Sequence, residues 1–161
     1  MAVALGLAVA QALAGVRVAT VTQLTEPLAY ANPSLNAKGT VTPAPGHRLD
    51  IVVIALGSTP LEAEVGAFTL MAVGGLAYAP IGVGGGANLI VPLDRLAIGR
   101  EAGQILPNDA IIAVTRNSST SVMLEAGPNG TIALLFELPT STVVKSLRLP
   151  DGRLLSIKGP D

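Results

Sequence analysis

From Val16 onward, short apolar runs alternate with clusters of Gly, Pro, Asn and Ser, the punctuation of strands rather than of helices. Residues 16–24 (VRVATVTQL) set Val16 and Val18 on one face and Arg17 on the other, as a half-buried strand requires. Residues 30–46 hold Pro33, Pro43, Pro45, Gly39 and Gly46, and prolines at that density cannot feed a ladder or continue a helix, so a loop is predicted. Residues 47–56 (HRLDIVVIAL) turn apolar at every position after Asp50, the pattern of a central strand covered on both faces. Residues 65–73, 110–115, 121–125, 131–138 and 143–149 repeat the theme. At the carboxyl end, Leu147, Leu149, Leu154 and Ser156 flank Pro150-Asp151-Gly152-Arg153, which predicts a hairpin with Gly supplying positive φ. Pro128-Asn129-Gly130 makes a comparable turn into residues 131–138, and Pro139 ends that strand because it has no N–H to give. The whole pattern predicts an all-β fold: an immunoglobulin-like antiparallel β-sandwich of about seven to nine strands over residues 16–161.

Residues 1–15 (MAVALGLAVAQALAG) differ from the rest and form a separate apolar segment. They carry no charge, and Val3, Leu5, Leu7, Val9, Gln11 and Leu13 alternate with Ala and Gly. Three readings follow. A secretory signal would end at a small-residue site such as Ala10-Gln11-Ala12, though the basic n-region is missing. A helix is favoured by the alanine content and the stripe Leu5, Val9, Leu13, Val16, yet is too short to span a bilayer unaided. An extended strand with a period of two would present Val3, Leu5, Leu7, Val9 and Leu13 as a donor strand to a neighbouring subunit, at ~1.5 to 3 kcal/mol for each side chain buried. Such a head-to-tail contact does not close on itself and generates filaments.

Composition narrows the function classes. Charged residues make up 13% of the 161-residue chain, well below the roughly 25% of an ordinary soluble domain, so less of its surface is covered by charge. The net charge of −1, with ten basic residues scattered along the chain, gives no electrostatic footprint for nucleic acid. Four aromatic residues, Tyr30, Phe68, Tyr78 and Phe136, leave few platforms for sugar or base stacking and make the core aliphatic. Cysteine is absent, which removes disulfides, thiolate nucleophiles and Cys-ligated metals.

An inventory of reactive side chains points away from catalysis, and no catalytic, cofactor-binding or metal-ligating residue is assigned. His47 is the one histidine, at the start of a predicted strand, and no serine stands in a G-x-S-x-G elbow. One His without D-x-D or H-x-x-x-H spacing leaves no metal ligand set. Asp94-Arg95 and Arg100-Glu101 read as solvated surface pairs. Gly82-Val83-Gly84-Gly85-Gly86-Ala87 matches a dinucleotide fingerprint, but the Asn88-Leu89-Ile90-Val91-Pro92 that follows is β-like, so the glycines read as a flexible loop between strands and no cofactor is expected. Asn117-Ser118-Ser119 and Asn129-Gly130-Thr131 satisfy the N-glycosylation acceptor pattern at Asn117 and Asn129.

Several segments carry a resemblance. Pro45-Gly46 enters the long strand 47–56, Phe68 with Leu70 leads to Gly75 and Tyr78, and Gly130, Phe136 and Pro139 mark the strand before the last hairpin. Over residues 16–158 this order resembles the telokin-like, immunoglobulin-type domains of unknown function found in exported bacterial proteins, although Gly57-Ser58-Thr59-Pro60 departs from the corner expected after the second strand. The resemblance implies export and no known chemistry. Together these observations lead to the expectation of a non-enzymatic extracellular or cell-surface subunit that forms a homo-oligomer or homopolymer, a pilus-like filament or surface layer, by donating its N-terminal strand. The alternative is an exported binding module of telokin-like type, touching membrane only transiently or through an N-terminal anchor.

Overall fold

A computed structural model describes residues 15–32, 37–58, 60–86, 89–99, 101–105 and 111–157. In chain order the strands are β1 (Arg17–Leu24), β2 (Leu28–Asn32), β3 (Ala37–Val41), β4 (His47–Ala55), β5 (Leu61–Glu64), β6 (Thr69–Ala72), β7 (Ala77–Tyr78) and β8 (Gly82–Gly84). They continue as β9 (Val91–Pro92), β10 (Glu101–Ile105), β11 (Ile111–Arg116), β12 (Val122–Ala126), β13 (Thr131–Pro139), β14 (Val144–Arg148) and β15 (Leu154–Ser156). The central sheet has the order β1-β4-β13-β8-β9; β10-β11-β12-β5 and β15-β14-β6-β7 form two four-stranded sheets, and β2-β3 is a separate hairpin. The named strand pairs are all antiparallel. The fold is the all-β sandwich that the alternating apolar runs predict.

Period-two alternation decides which side of the central sheet each residue faces. On β4 and β13 the side chains of Val52, Ile54, Ile132, Leu134 and Phe136 point into the main core, where Phe68 and Leu70, Leu124, and Leu147 meet them from the two four-stranded sheets. The intervening Leu49, Ile51, Ala133 and Leu135 point the other way and pack with Ile90 against Leu28 and Val41 of the β2–β3 hairpin. This double covering is why residues 51–56 are apolar without alternation: both faces of β4 are removed from water.

One charged pair interrupts the main-core face of β4. Arg48 Nε donates to Asp50 Oδ1 at 2.8 Å, and Arg48 Nη1 donates to the carbonyl of Thr140 at 2.7 Å, with both residues buried. The guanidinium neutralises the carboxylate and ties β4 to the turn that follows β13, so neither charge is left uncompensated.

The architecture corrects several local expectations. The predicted loop 30–46 contains β2 and β3, paired from Leu28↔Val41 to Asn32↔Ala37, because Pro43 and Pro45 follow the ladder and take no part in it; Pro33 lies outside the described residues. The run 65–73 is not one strand; Val65–Ala67 is a 3-10 turn and the ladder resumes at Thr69. Among the described residues, short bends divide the expected runs into fifteen strands, several of two to four residues. The glycine run is no flexible loop, for Gly82–Gly84 is the buried strand β8. A Cβ on Gly84 would lie 2.3 Å from the Leu89 carbonyl oxygen, so glycine is there to let the returning backbone pass close. The carboxyl-terminal hairpin is as expected, with Gly152 at φ +91° and Leu147 opposite Leu155.

Candidate binding cleft

The β2–β3 hairpin covers one face of the central sheet, and a cleft of about 510 Å³ opens where the hairpin meets the β9 edge. Its volume falls within the range of small-ligand sites. Val41, Pro80, Ile81, Pro92 and Leu93 supply an apolar lining, and Tyr30, Thr40, Asp94, Arg95 and Glu137 supply the polar groups. Each wall is held by its own local device.

Tyr30 is held on the hairpin by a glycine. It stands opposite Gly39 in the β2–β3 register, and a Cβ at Gly39 would meet the Tyr30 Oη at 2.7 Å and Cζ at 3.0 Å. The missing side chain therefore lets the ring lie across the neighbouring strand, where it is buried. Glu137 sits on the hairpin-facing side of β13, and its Oε2 accepts a hydrogen bond of 3.1 Å from the Ala44 N–H, tying the segment after β3 to the sheet.

Asp94 and Arg95 lie on the 3-10 turn Leu93–Arg95, both exposed at the rim. The turn is anchored at its start by the Leu93 N–H, which donates to the Ile81 carbonyl at 2.9 Å, and closed by Leu96 N–H to Leu93 O at 3.2 Å. A guanidinium completes the anchorage. Arg116 at the end of β11 donates to the carbonyls of Leu96 at 3.0 Å and Leu93 at 3.4 Å, and to those of Ser118 and Ser119 at 3.1 and 3.2 Å. One planar donor group thus joins the cleft turn to the β11–β12 turn.

The residues singled out in the sequence fall in separate places. Val3, Leu5, Leu7, Val9 and Leu13 lie outside the described residues. His47 is half-buried at the start of β4, with Nδ1 3.2 Å from the Pro45 carbonyl, so one ring nitrogen faces its own turn. Asp94 and Arg95 are exposed, as solvated charges are, but they also line the cleft; Arg100 lies outside the described residues and Glu101 is on β10. Asn117 is exposed, and its N–H donates to Ser121 O. Asn129 is exposed at φ +62°, with its N–H bonded to Gly57 O, and it carries the positive φ of the turn into β13. Among the described residues no group of three or more His, Asp or Glu is placed to hold a metal ion, and no helix is long and apolar enough to cross a membrane.

Tyr30, Thr40 and Glu137 were missed in the sequence because they are brought together by hairpin packing and not by spacing along the chain. The one local signal was Tyr30, an aromatic residue inside a proline-rich stretch. No family model, curated protein or solved structure matches this chain.

Proposed function

We propose that this chain is a non-catalytic β-sandwich module that acts outside the cytoplasm by holding a small amphipathic ligand in the cleft between the β2–β3 hairpin and the turn Leu93–Arg95. The observation that carries this reading is the lining: an apolar surface with Tyr30, Thr40, Asp94, Arg95 and Glu137 gathered around it. That combination suits a ligand with an aliphatic or ring-bearing body and an ionic end, the body desolvated on Val41, Pro92 and Leu93 and the end oriented by the rim charges. Export is an expectation from the sequence alone, carried by the resemblance of residues 16–158 to telokin-like domains. The test is a ¹H–¹⁵N titration of the full chain with a fragment library of small rings and alkyl chains bearing an ammonium or a carboxylate. Binders should shift the amides of Tyr30, Thr40, Leu93 and Arg95 together; binders that shift only other surfaces would defeat the proposal.

A second reading is self-assembly into a filament or surface layer by donation of residues 1–14. It is favoured by a group of large apolar side chains left in water: Val73, Leu76, Val143 and Leu154 are each 60–64% exposed. Sedimentation of the full chain across a concentration series tests it, because a strand-donating subunit grows with concentration and an isolated module does not.

A further inference from the structure

We propose that the exposed apolar face around the β6–β7 turn is the acceptor for the uncharged amino-terminal segment of a second copy; this rests on the self-assembly reading. The face is built from neighbouring elements. Val73 and Leu76 flank Gly74 and Gly75, whose φ values of +93° and +88° turn the chain there, and the Val73 N–H donates to the Val143 carbonyl at 2.9 Å. Beside them a groove of about 380 Å³ crosses the outer face of the β15-β14-β6-β7 sheet, lined by Met71, Val73, Ser146 and Leu154, with Lys145 its one ionisable group.

The choice of occupant follows from where the chain leaves the sandwich. Arg17 at the start of β1 is opposite Ala55 at the end of β4, and Gly15 packs on Gly57, so the described chain begins at that end. The acceptor lies at the other end: Pro139 is opposite His47 at the start of β4, the Thr140 N–H bonds Gly46 O, and Val143 follows three residues later. The nine residues of β4 separate the two ends by ~30 Å, at ~3.3 Å per residue. Because β1 runs toward the acceptor end, its start faces away from its own acceptor and toward whatever copy lies beyond the Gly57 end, and the proposed contact carries residues 1–14 onto that copy. A copy stacked in the same orientation presents its Val73–Val143 end there, and repetition of that contact is open and head-to-tail. The chemistry matches: the segment carries no charge, and Leu5, Leu7 and Val9 offer alternate apolar side chains to an apolar groove.

Complementation between two full-length variants tests this. Leu76→Lys with Val143→Lys spoils the acceptor and leaves the donor; Leu5→Asp, Leu7→Asp and Val9→Asp spoil the donor and leave the acceptor. With folding of each verified by circular dichroism, sedimentation velocity should find polymers for the unaltered chain, monomers for each variant alone, and a one-to-one dimer when the variants are mixed. Polymers from the acceptor variant would overturn the acceptor assignment while leaving strand donation standing. Polymers from the donor variant, or an unaltered chain that stays monomeric at every concentration, would overturn both.

Discussion

Arg116→Ala is the perturbation that separates the cleft turn from the rest of the sandwich. The side chain makes four hydrogen bonds to carbonyls, three at 3.0–3.2 Å and one, to Leu93, at 3.4 Å. The longest is weak, and the others are partly or fully exposed, so each contributes nearer the ~1 kcal/mol of an ordinary net hydrogen bond than the value for a buried ionic one. Removing them should cost about 2–3 kcal/mol, which in a domain of this size lowers Tm by roughly 4–12 °C. The loss should be local first. The Leu96 amide, bonded to Leu93 O across the 3-10 turn, should exchange with deuterium about 30-fold faster, since ~2 kcal/mol of local stability corresponds to that factor. Arg116→Lys should recover only part of the effect, because a single ammonium cannot reach both turns with a planar fork. Thermal unfolding and amide exchange by NMR read the two consequences separately. A Tm within ~1 °C of the parent together with unchanged exchange at Leu96 would show that the guanidinium does not hold the turn.

Other perturbations address the fold and the sheet surfaces. Arg48→Met leaves the fully buried Asp50 carboxylate without its cation and should cost about 3–5 kcal/mol, whereas Arg48→Met with Asp50→Leu should return to within ~1 kcal/mol of the parent; denaturant melts of the cycle check both. Gly84→Ala places a methyl 2.3 Å from Leu89 O and 2.8 Å from Ile90 Cα, so a loss of at least ~1–3 kcal/mol is expected in the same melts. Glu125 stands directly opposite Glu62 across β12 and β5, and Glu125→Lys should stabilise by ~0.5–1 kcal/mol, with the gain shrinking as salt is raised.

How much of this was legible in the chain depends on the range over which each feature is determined. β1, β4, β11 to β14 and the last hairpin follow local rules: period-two alternation, Pro139 closing a ladder, and Gly152 taking a positive φ. β2 and β3 were hidden because Pro33, Pro43 and Pro45 outweigh the strand signal of their neighbours, and only the pairing of residues 28–32 with 37–41 shows that Pro43 and Pro45 stand clear of the ladder. β8 was hidden for the opposite reason: Gly82 and Gly84 have no strand preference of their own and are selected by Ile90 and Leu89 pressing close against them. The cleft was the least legible. Asp94 and Arg95 could be read as a pair of surface charges, but that they face Tyr30 and Glu137 is a product of two sheet layers meeting, which no spacing along the chain encodes.

Ligand holding is measured most directly by locating a bound fragment. Intermolecular NOEs between the tightest-binding fragment and the full chain should connect its apolar body to Tyr30 and Pro92 and its ionic end to Asp94, Arg95 or Glu137, and Tyr30→Ala should weaken binding at least tenfold. NOEs confined to the outer faces of the sheets, with the Tyr30 and Leu93 signals unmoved and affinity unchanged in Tyr30→Ala, would contradict the cleft as the site.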